Sequence, residues 1–253
     1  MNLNDKTIQT ATELVRQATH IVALTGAGIS TPSGIPDFRS ADSGLWEQAD
    51  PMVVASLQAF LHDPHPFYAW FRPLLDTIMQ ARPNPAHQAL ARLESAGKLK
   101  AVVTQNIDDL HRKAGSRTVY ELHGHLREMT CMRCQQVDLA APVISAFMAD
   151  GNVPRHHCGG FLKPNVIFFG ELLPQQTYSA SVTTLQHADV VVVVGSSMEV
   201  APASELPLVA LRRGAKLIIV NYDATPWDTR ADVVIHADAA EVLPLIAELA
   251  LAD

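Results

Sequence analysis

Five consecutive valines, residues 190–194, constrain the fold of this chain more than any other stretch of its 253 residues. The run has the length of one β-strand and contains no polar position that could face water. Strands that are buried on both faces occur in parallel sheets, with helices covering either side. The run therefore predicts a central strand of an α/β sheet.

Further short apolar runs, separated by segments with helical periodicity, predict the rest of this sheet. Strands are expected at residues 20–25, 99–103, 188–194, 216–220 and 232–236. Helices are expected at residues 4–19, 52–79 with a break at 62–66, 86–96, 202–213 and 240–251. Because strands alternate with helices, the predicted fold class is a doubly wound α/β sheet.

Small and polar residues follow four of the predicted strands. They are the glycine turn Gly26, Ala27 and Gly28, the group Gln105, Asn106, Ile107 and Asp108, the turn Gly195, Ser196 and Ser197, and Asn221. Ligands of open α/β sheets bind at the carboxyl ends of the strands. His123 follows Asp108 by fifteen residues, and amides, a carboxylate and an imidazole can together orient a polar ligand and move a proton.

The glycine turn at residues 26–28 indicates that the ligand is a nucleotide. A strand, a glycine turn and a helix start allow backbone amides to bind a diphosphate. The dinucleotide fingerprint of dehydrogenases has a further glycine three positions after the second, where this chain has Thr31. A hydride-transferring dehydrogenase is therefore disfavoured, and a tight turn without a ligand is the alternative interpretation.

Residues 31–46 are rich in Pro, Gly and Ser and predict a loop. This loop carries Phe38 and Arg39, a large apolar side chain and a cation of the kind that binds phosphate. One interpretation is a mobile loop that closes over a bound nucleotide. The other is a surface loop with Phe38 packed beneath it.

Three cysteines, Cys131, Cys134 and Cys158, lie between the two halves of the sheet, with His156 and His157 beside the last. A four-cysteine zinc ribbon would need a second Cys-x-x-Cys pair, but Arg155 stands three residues before Cys158. One of the two histidines, taken as His156, would complete a Cys₃His zinc site. A metal-free, degenerate module is the alternative.

Charge and hydropathy narrow the classes of partner. The formal net charge of −7 disfavours broad nucleic-acid binding, so no direct nucleic-acid partner is expected. No apolar run is long enough to span a bilayer, and residues 1–6 are polar, without the apolar segment of a signal peptide. A cytoplasmic protein is expected, and a disulfide framework is accordingly disfavoured.

Seven motifs of this chain stand in a characteristic order. They are Gly26-Ala27-Gly28-Ile29-Ser30, Gly34-Ile35-Pro36-Asp37-Phe38-Arg39, Thr104-Gln105-Asn106-Ile107-Asp108, His123-Gly124, Phe169-Gly170-Glu171, Gly195-Ser196-Ser197 and Val220-Asn221. Together they resemble the sirtuin (Sir2) family of NAD-dependent protein deacylases, of bacterial or archaeal type, over nearly the whole chain. The resemblance implies a Rossmann-like domain of residues 1–51, 80–127 and 164–253. It also implies a smaller domain that combines a helical module, residues 52–79, with a zinc-ribbon module, residues 128–163.

The resemblance implies a protein-lysine deacylase, or deacetylase, that converts NAD and an acyl-lysine protein or peptide to nicotinamide, free lysine and O-acyl-ADP-ribose. His123 would be the general base on a ribose hydroxyl, with Asn106 as a second catalytic residue, and Phe38 would shield the anomeric carbon from water. The implied NAD contacts are Gly26, Ala27, Gly28, Thr31, Asp37, Phe38, Arg39, Gln105, Asn106, Ile107, Asp108, Gly195, Ser196, Ser197, Asn221 and Val242. The implied substrate contacts are Ile167, Phe169, Gly170 and Glu171, where a peptide would add as a β-strand. ADP-ribosyl transfer from the same site, and a non-catalytic NAD-sensing module, are the alternatives.

The acyl group is the least constrained feature. Family members that remove acidic acyl groups such as succinyl carry a Tyr-x-x-Arg pair in the helical module. Here Tyr68 is followed at that spacing by Phe71, and the arginine comes one residue later, at Arg72. One residue turns a helix by about 100°, so Arg72 is expected to point elsewhere and the acyl group to be neutral.

Overall fold

The structure, a computed structural model, describes residues 6–38 and 44–252. Its strands are β1 Ile21–Thr25, β2 Leu99–Thr104, β3 Val119–Glu121, β4 Gly124–Cys131, β5 Val137–Leu139, β6 Leu162–Val166, β7 Val190–Val194, β8 Lys216–Val220 and β9 Val233–Ile235. Its helices are α1 Lys6–Gln17, α2 Leu45–Gln48, α3 Pro51–Val54, α4 Leu57–His62, α5 His65–Gln80, α6 Pro85–Ser95, α7 Leu110–Lys113, α8 Ala140–Asp150, α9 Gln175–Leu185, α10 Pro207–Leu211 and α11 Ala239–Leu251. Among these helices, none combines the length and the apolar character needed to cross a membrane. Arg39, one of the predicted NAD contacts, lies outside the described residues.

Six parallel strands form the main sheet in the order β3-β2-β1-β7-β8-β9. The valine run is β7, which pairs with β1 on one side and β8 on the other, and all five valines are buried. The predicted α/β class is confirmed. The strand order reverses between β1 and β7, so the crevice at their carboxyl ends is the expected ligand site.

Helices bury both faces of the sheet, which explains why most positions of its central strands are apolar. Helices α1, α6 and α11 pack on one face, where Ile8, Leu90 and Ile246 are buried. Helices α9 and α10 cover the other face, where Leu185 and Ala210 join the core. The doubly wound arrangement is therefore that of a Rossmann-like sheet.

A second sheet has three antiparallel strands, β5-β4-β6; Cys131 ends β4, and Cys134 and Cys158 lie in the segments that connect its elements. Its core is shared with the helical module, since Phe67, Tyr68 and Phe71 of α5 are buried with Phe147 of α8. The Tyr68 hydroxyl donates to the Leu162 carbonyl at 2.5 Å. The two small modules thus form one packed unit, and β4 joins it directly to His123.

Two predicted helices are interrupted in the structure. The helix expected at residues 202–213 is a 3₁₀ turn, Ala203–Glu205, followed by the short α10. Pro207 starts α10 because proline lacks the N–H of a helix interior but fits its first turn. The helical module has a second break at Ser56, which caps α4 by accepting from the Ala59 amide at 3.2 Å.

Candidate active site

The loops that follow β1 and β7 are in direct backbone contact. The Gly26 amide donates to Val194 O at 3.0 Å and the Gly28 amide to Gly195 O at 2.9 Å. A Cβ on Gly195 would lie 2.1 Å from the Ile29 nitrogen, and Gly195 has a φ of +57°. Glycine is required here so that the loops can touch. The amides of Gly26 and Gly28 are therefore engaged within the protein, whereas the sequence suggested that they would be free for a diphosphate.

Asn106 and Asp108 are fixed by a serine that sequence reasoning missed. Asn106 Nδ2 donates to Gly26 O at 3.0 Å and to Ser30 Oγ at 3.2 Å. Ser30 Oγ donates to Asp108 Oδ2 at 2.7 Å, and the Leu110 amide donates to Asp108 Oδ1 at 2.8 Å. Burial raises the pKa of the Asp108 carboxyl, although these two hydrogen bonds oppose the rise. A serine two positions after a glycine turn was the available signal.

Gln105 connects the loop after β2 to the loop after β7. Its backbone N–H donates to Thr25 O at 3.0 Å, and its side-chain Nε2 donates to Ser196 Oγ at 3.2 Å. Ser196 also accepts from the Met198 amide at 3.3 Å. The structure thus brings together predicted site residues from three strand ends, those of β1, β2 and β7.

A buried network supports Asn106 from behind. The Thr25 hydroxyl donates to Thr104 Oγ1 at 2.8 Å, and Thr104 Oγ1 also accepts from the backbone N–H of Asn106 at 3.0 Å. His111 Nε2 lies 2.9 Å from Thr25 Oγ1. Since the Thr25 proton goes to Thr104, His111 Nε2 is the donor in this pair. The His87 ring lies 4.8 Å from the His111 ring, so two buried histidines that the sequence analysis did not select stand behind the site.

Both histidines are neutral inside the fold. Burial lowers the pKa of His87 to about 4 and that of His111 well below its usual value. Neither ring nitrogen of His87 has a hydrogen-bond partner among the described residues, nor has Nδ1 of His111. Protonating either ring would place an uncompensated charge in the core.

Acidification is therefore expected to destabilise the protein through His87. Below pH 6.5 the unfolded chain protonates this residue and the folded chain does not, so stability falls as the pH drops from 6.5 toward 4. Between pH 7 and 5 the loss through His87 alone is about 2 kcal/mol. Urea unfolding of the wild type and His87→Gln at both pH values measures it, because glutamine does not titrate. An equal pH dependence in the two proteins would contradict the expectation.

His123 stands between β3 and β4, beside the predicted peptide segment. The Ile167 amide donates to the His123 carbonyl at 2.8 Å. Phe169 is tied to the helical module, since its amide donates to Ala55 O at 2.9 Å and its carbonyl accepts from the Leu57 amide at 3.0 Å. The segment that carries the predicted peptide contacts Ile167, Phe169, Gly170 and Glu171 is thus a loop after β6, anchored at His123 and at the start of α4.

Aromatic rings connect the loop of residues 31–46 to this segment. The Phe38 ring lies 5.0 Å from that of Trp46, which stacks on Trp70 at 5.6 Å and meets Phe169 at 6.1 Å. Phe38 is half-buried. In this conformation Phe38 is packed against other aromatic rings, as in the second of the two interpretations of this loop. Sequence reasoning did not place Trp46 and Trp70 at the site.

Of three other predicted NAD contacts, Thr31 and Asn221 lie at the carboxyl edge of the sheet, whereas Val242 does not. Thr31 Oγ1 donates to Gly28 O at 3.0 Å, so it braces the glycine turn. Asn221 follows β8 at the same sheet edge, and its Nδ2 donates to Asp223 O at 2.8 Å. Val242 does not join them. It is fully buried in the core on α11, so its side chain presents no surface to a ligand.

The predicted metal ligands converge. The ligand atoms of Cys131, Cys134, His156 and Cys158 all lie within 4.8 Å of one another. Cys131 Sγ is 3.4 Å from Cys158 Sγ, and Cys134 Sγ is 3.3 Å from His156 Nδ1. Tetrahedral zinc with sulfur and nitrogen ligands separates them by roughly 3.3–3.8 Å.

His156, rather than His157, belongs to this group. Its other nitrogen, Nε2, lies 4.0 Å from Asp138 Oδ2. Zinc-binding histidines commonly direct their second nitrogen toward a carboxylate, which fixes the ring orientation. The donor set and this carboxylate fit a zinc ion bound through His156 Nδ1.

Comparisons with known proteins agree with this geometry. The sequence pattern of the Sir2 family matches residues 26–202. The chain is 46% identical to NAD-dependent protein deacylase 2 of Archaeoglobus fulgidus, with 95% of each chain covered. It is 43% identical to NAD-dependent protein deacetylase 1 of Geobacillus kaustophilus, with 90% of this chain and 91% of that protein covered.

Solved structures give the same result. A chain solved for the mechanism and regulation of Sir2 enzymes has a TM-score of 0.93 and 45% identity, with 97% of this chain and 98% of that chain covered. A Sir2 complex with a p53 peptide and NAD⁺ has a TM-score of 0.86 and 40% identity, with 95% and 97% covered. The family pattern spans most of the chain and the relatives align over nine tenths of it, so the chain belongs to the Sir2 family.

Proposed function

We propose that this protein is an NAD-dependent protein-lysine deacylase whose products are free lysine, nicotinamide and O-acyl-ADP-ribose. One observation carries the proposal beyond family membership. Asn106 and Asp108 bind Gly26 and Ser30 in the loop after β1, and Gln105 binds Ser196 in the loop after β7. The Leu122 amide, beside His123, donates to Thr104 O at 2.8 Å, and the His123 carbonyl accepts from the Ile167 amide at 2.8 Å. His123 thus stands between the end of β2, where the predicted nucleotide contacts lie, and the predicted peptide segment.

NAD, when bound, supplies the ADP-ribosyl group that accepts the acyl group as nicotinamide leaves. Asp108, an acceptor, would hold the carboxamide NH₂ of nicotinamide, and the Asn106 amide can both donate and accept. His123 would remove the proton of a ribose hydroxyl, so that this oxygen can bond to the acyl carbon. Phe38 would keep water from the reacting carbon, since water there would hydrolyse NAD without acyl transfer.

The peptide would contact the exposed part of the segment after β6. The amide and the carbonyl of Phe169 are engaged by Ala55 and Leu57. A Cβ built on Gly170 would meet nothing within 4 Å, and Leu172 is 92% exposed. We therefore propose that the peptide contacts residues 170–172, next to the predicted contacts Ile167 and Phe169. A cytoplasmic location and the absence of a nucleic-acid partner stay predictions.

Arg72 supports a neutral acyl group. Its guanidinium donates to Met148 O at 2.6 Å and lies 5.8 Å from the centre of the Phe147 ring. The arginine is thus held at the carboxyl end of α8, where the partial negative charge of the helix suits a cation. Tyr68, the other half of the pair, is buried against Leu162.

A panel of acetyl, longer aliphatic and succinyl lysine peptides, incubated with NAD, tests both statements by mass spectrometry. We expect nicotinamide and O-acyl-ADP-ribose in equal amounts from neutral acyl peptides and little turnover of the succinyl peptide. Arg72→Met is the matched control, and it should leave this acyl profile unchanged. A succinyl preference lost in Arg72→Met would contradict the acyl assignment. Peptides that retain the acyl group and gain ADP-ribose would favour the transferase alternative.

A further inference from the structure

Lys163, on β6, is a buried cation outside the residues considered so far. Its side chain is only 8% exposed. Its ammonium group lies 2.8 Å from Glu171 Oε2, donates to Val166 O at 2.7 Å and sits 4.2 Å from the centre of the Phe168 ring. A buried charge is tolerated only when it is paired and hydrogen-bonded. These three partners belong to the stretch from the end of β6 to Glu171.

The Glu171 oxygen that pairs with Lys163 also binds the backbone of its own segment. Oε2 accepts from the Phe168 amide at 2.7 Å as well as from Lys163. The Glu171 amide in turn donates to Phe168 O at 3.0 Å. Residues 168–171 are therefore a turn closed by one backbone and one side-chain hydrogen bond. Gly170 occupies its left-handed position, with a φ of +88°.

The hydrogen bonds that hold residues 167–172 to the rest of the protein are concentrated at Ile167 and Phe169. Ile167 is held by His123 O, and Phe169 by Ala55 and Leu57, so these two residues have backbone partners outside the segment. Beyond Phe169 the turn is held by Glu171, whose carboxylate is paired with Lys163. The ion pair thus fixes the position of residues 170–172 more than that of Ile167 and Phe169.

We infer that Lys163 and Glu171 are positioning residues that hold the turn of residues 168–171 in the shape that accepts an acyl-lysine peptide. This inference rests on the proposed function and deepens it. It also changes the predicted role of Glu171, from a residue that touches the substrate to one that acts through the turn. The chemical step and the NAD site do not depend on the pair.

Steady-state kinetics of Lys163→Met and Glu171→Gln in the full chain test the inference. We expect the KM for an acetyl-lysine peptide to rise about 10-fold or more in each, as for the loss of a hydrogen bond to a charged group. The KM for NAD and the kcat at saturating peptide should change little. Lys163→Arg, which keeps the charge, should recover part of the peptide KM. Lys216→Met, which removes an ion pair of the same 2.8 Å length at the surface, is the matched control.

The double variant Lys163→Met/Glu171→Gln separates positioning from direct contact. If the two residues act as one unit, it should be no worse than either single variant. A raised peptide KM in Glu171→Gln alone, with Lys163→Met unchanged, would mean that Glu171 touches the peptide and would overturn the inference. Additive effects would overturn it as well.

Folding and the proposed function are controlled separately. The double variant removes both charges and leaves neither unpaired, so it keeps the test open if a single variant fails to fold. If the wild type releases no nicotinamide, the proposed function fails. Fluorescence anisotropy of a labelled acetyl-lysine peptide then tests the pair by binding alone, and unchanged affinity in both single variants would overturn the inference.

Discussion

His123→Ala is expected to lower the rate of acyl-lysine removal by about 10²–10⁴-fold, the usual contribution of a general base. NAD should still bind, because Gln105, Asn106 and Asp108 are held by hydrogen bonds with Ser196, Gly26 and Ser30. The His123 carbonyl accepts from the Ile167 amide of the peptide segment, and alanine retains this contact. The kcat for an acetyl-lysine peptide and the Kd for NAD measure the two effects separately.

The matched control is His125→Ala, two residues along the same chain. His125 is half-buried, and its Nε2 lies 4.0 Å from Glu128 while its Nδ1 accepts from the Arg127 amide at 3.3 Å. We expect it to keep most of its activity. If His123→Ala retained the full kcat, His123 would not be the general base and the catalytic assignment would fall. A wild type that binds NAD but turns over no acyl-lysine peptide would favour the NAD-sensing module.

The sheet was predictable from sequence because the physics of its strands is local. The valines of β7 have no polar face, so only a strand buried on both sides can accommodate them. The residues after Thr25, Thr104 and Val194 then share one edge in any parallel sheet. Gln105, Asn106 and Asp108 were found for this reason, and the structure brings them to the loops that follow β1 and β7.

The support behind these residues was not predictable, because it depends on register. Thr25 and Thr104 are partners across the β1–β2 pair, and only this pairing brings their hydroxyls within 2.8 Å. His111 reaches Thr25 across 86 residues of sequence. Nothing local distinguishes these residues from ordinary core or capping positions.

Contacts between residues that are distant in sequence also explain why the structure gives the glycine turn, Glu171 and Val242 roles that differ from the predicted ones. The glycine turn has the spacing of a phosphate loop, but two of its amides donate to the carbonyls of Val194 and Gly195. Glu171 stands in a motif beside Phe169 and Gly170, and its spacing does not reveal the pairing with Lys163. Val242 lies on the buried face of α11, which becomes visible only when the helix is packed.

The zinc site is the second feature with a large expected effect. Cys134→Ser should lower bound zinc far below one ion per chain and abolish peptide deacylation. The reason is the path of the small sheet: β4 runs from Gly124, beside His123, to Cys131, and pairs with β6, which leads to the peptide segment. Structural zinc in small modules contributes about 10–16 kcal/mol to folding. Inductively coupled plasma mass spectrometry of the purified protein gives the metal content, and the peptide assay gives the activity.

Two further variants test the ligand assignment. His157→Ala should retain zinc, since its ring packs 3.7 Å from that of His156 but belongs to no ligand group among the described residues. Asp138→Asn should weaken zinc affinity by about 10–100-fold, because the carboxylate near His156 Nε2 orients the ring. A folded, active wild type with almost no zinc would overturn the Cys₃His assignment. The shared core of α5, α8 and the small sheet would then have to hold β4 and β6 in place by itself.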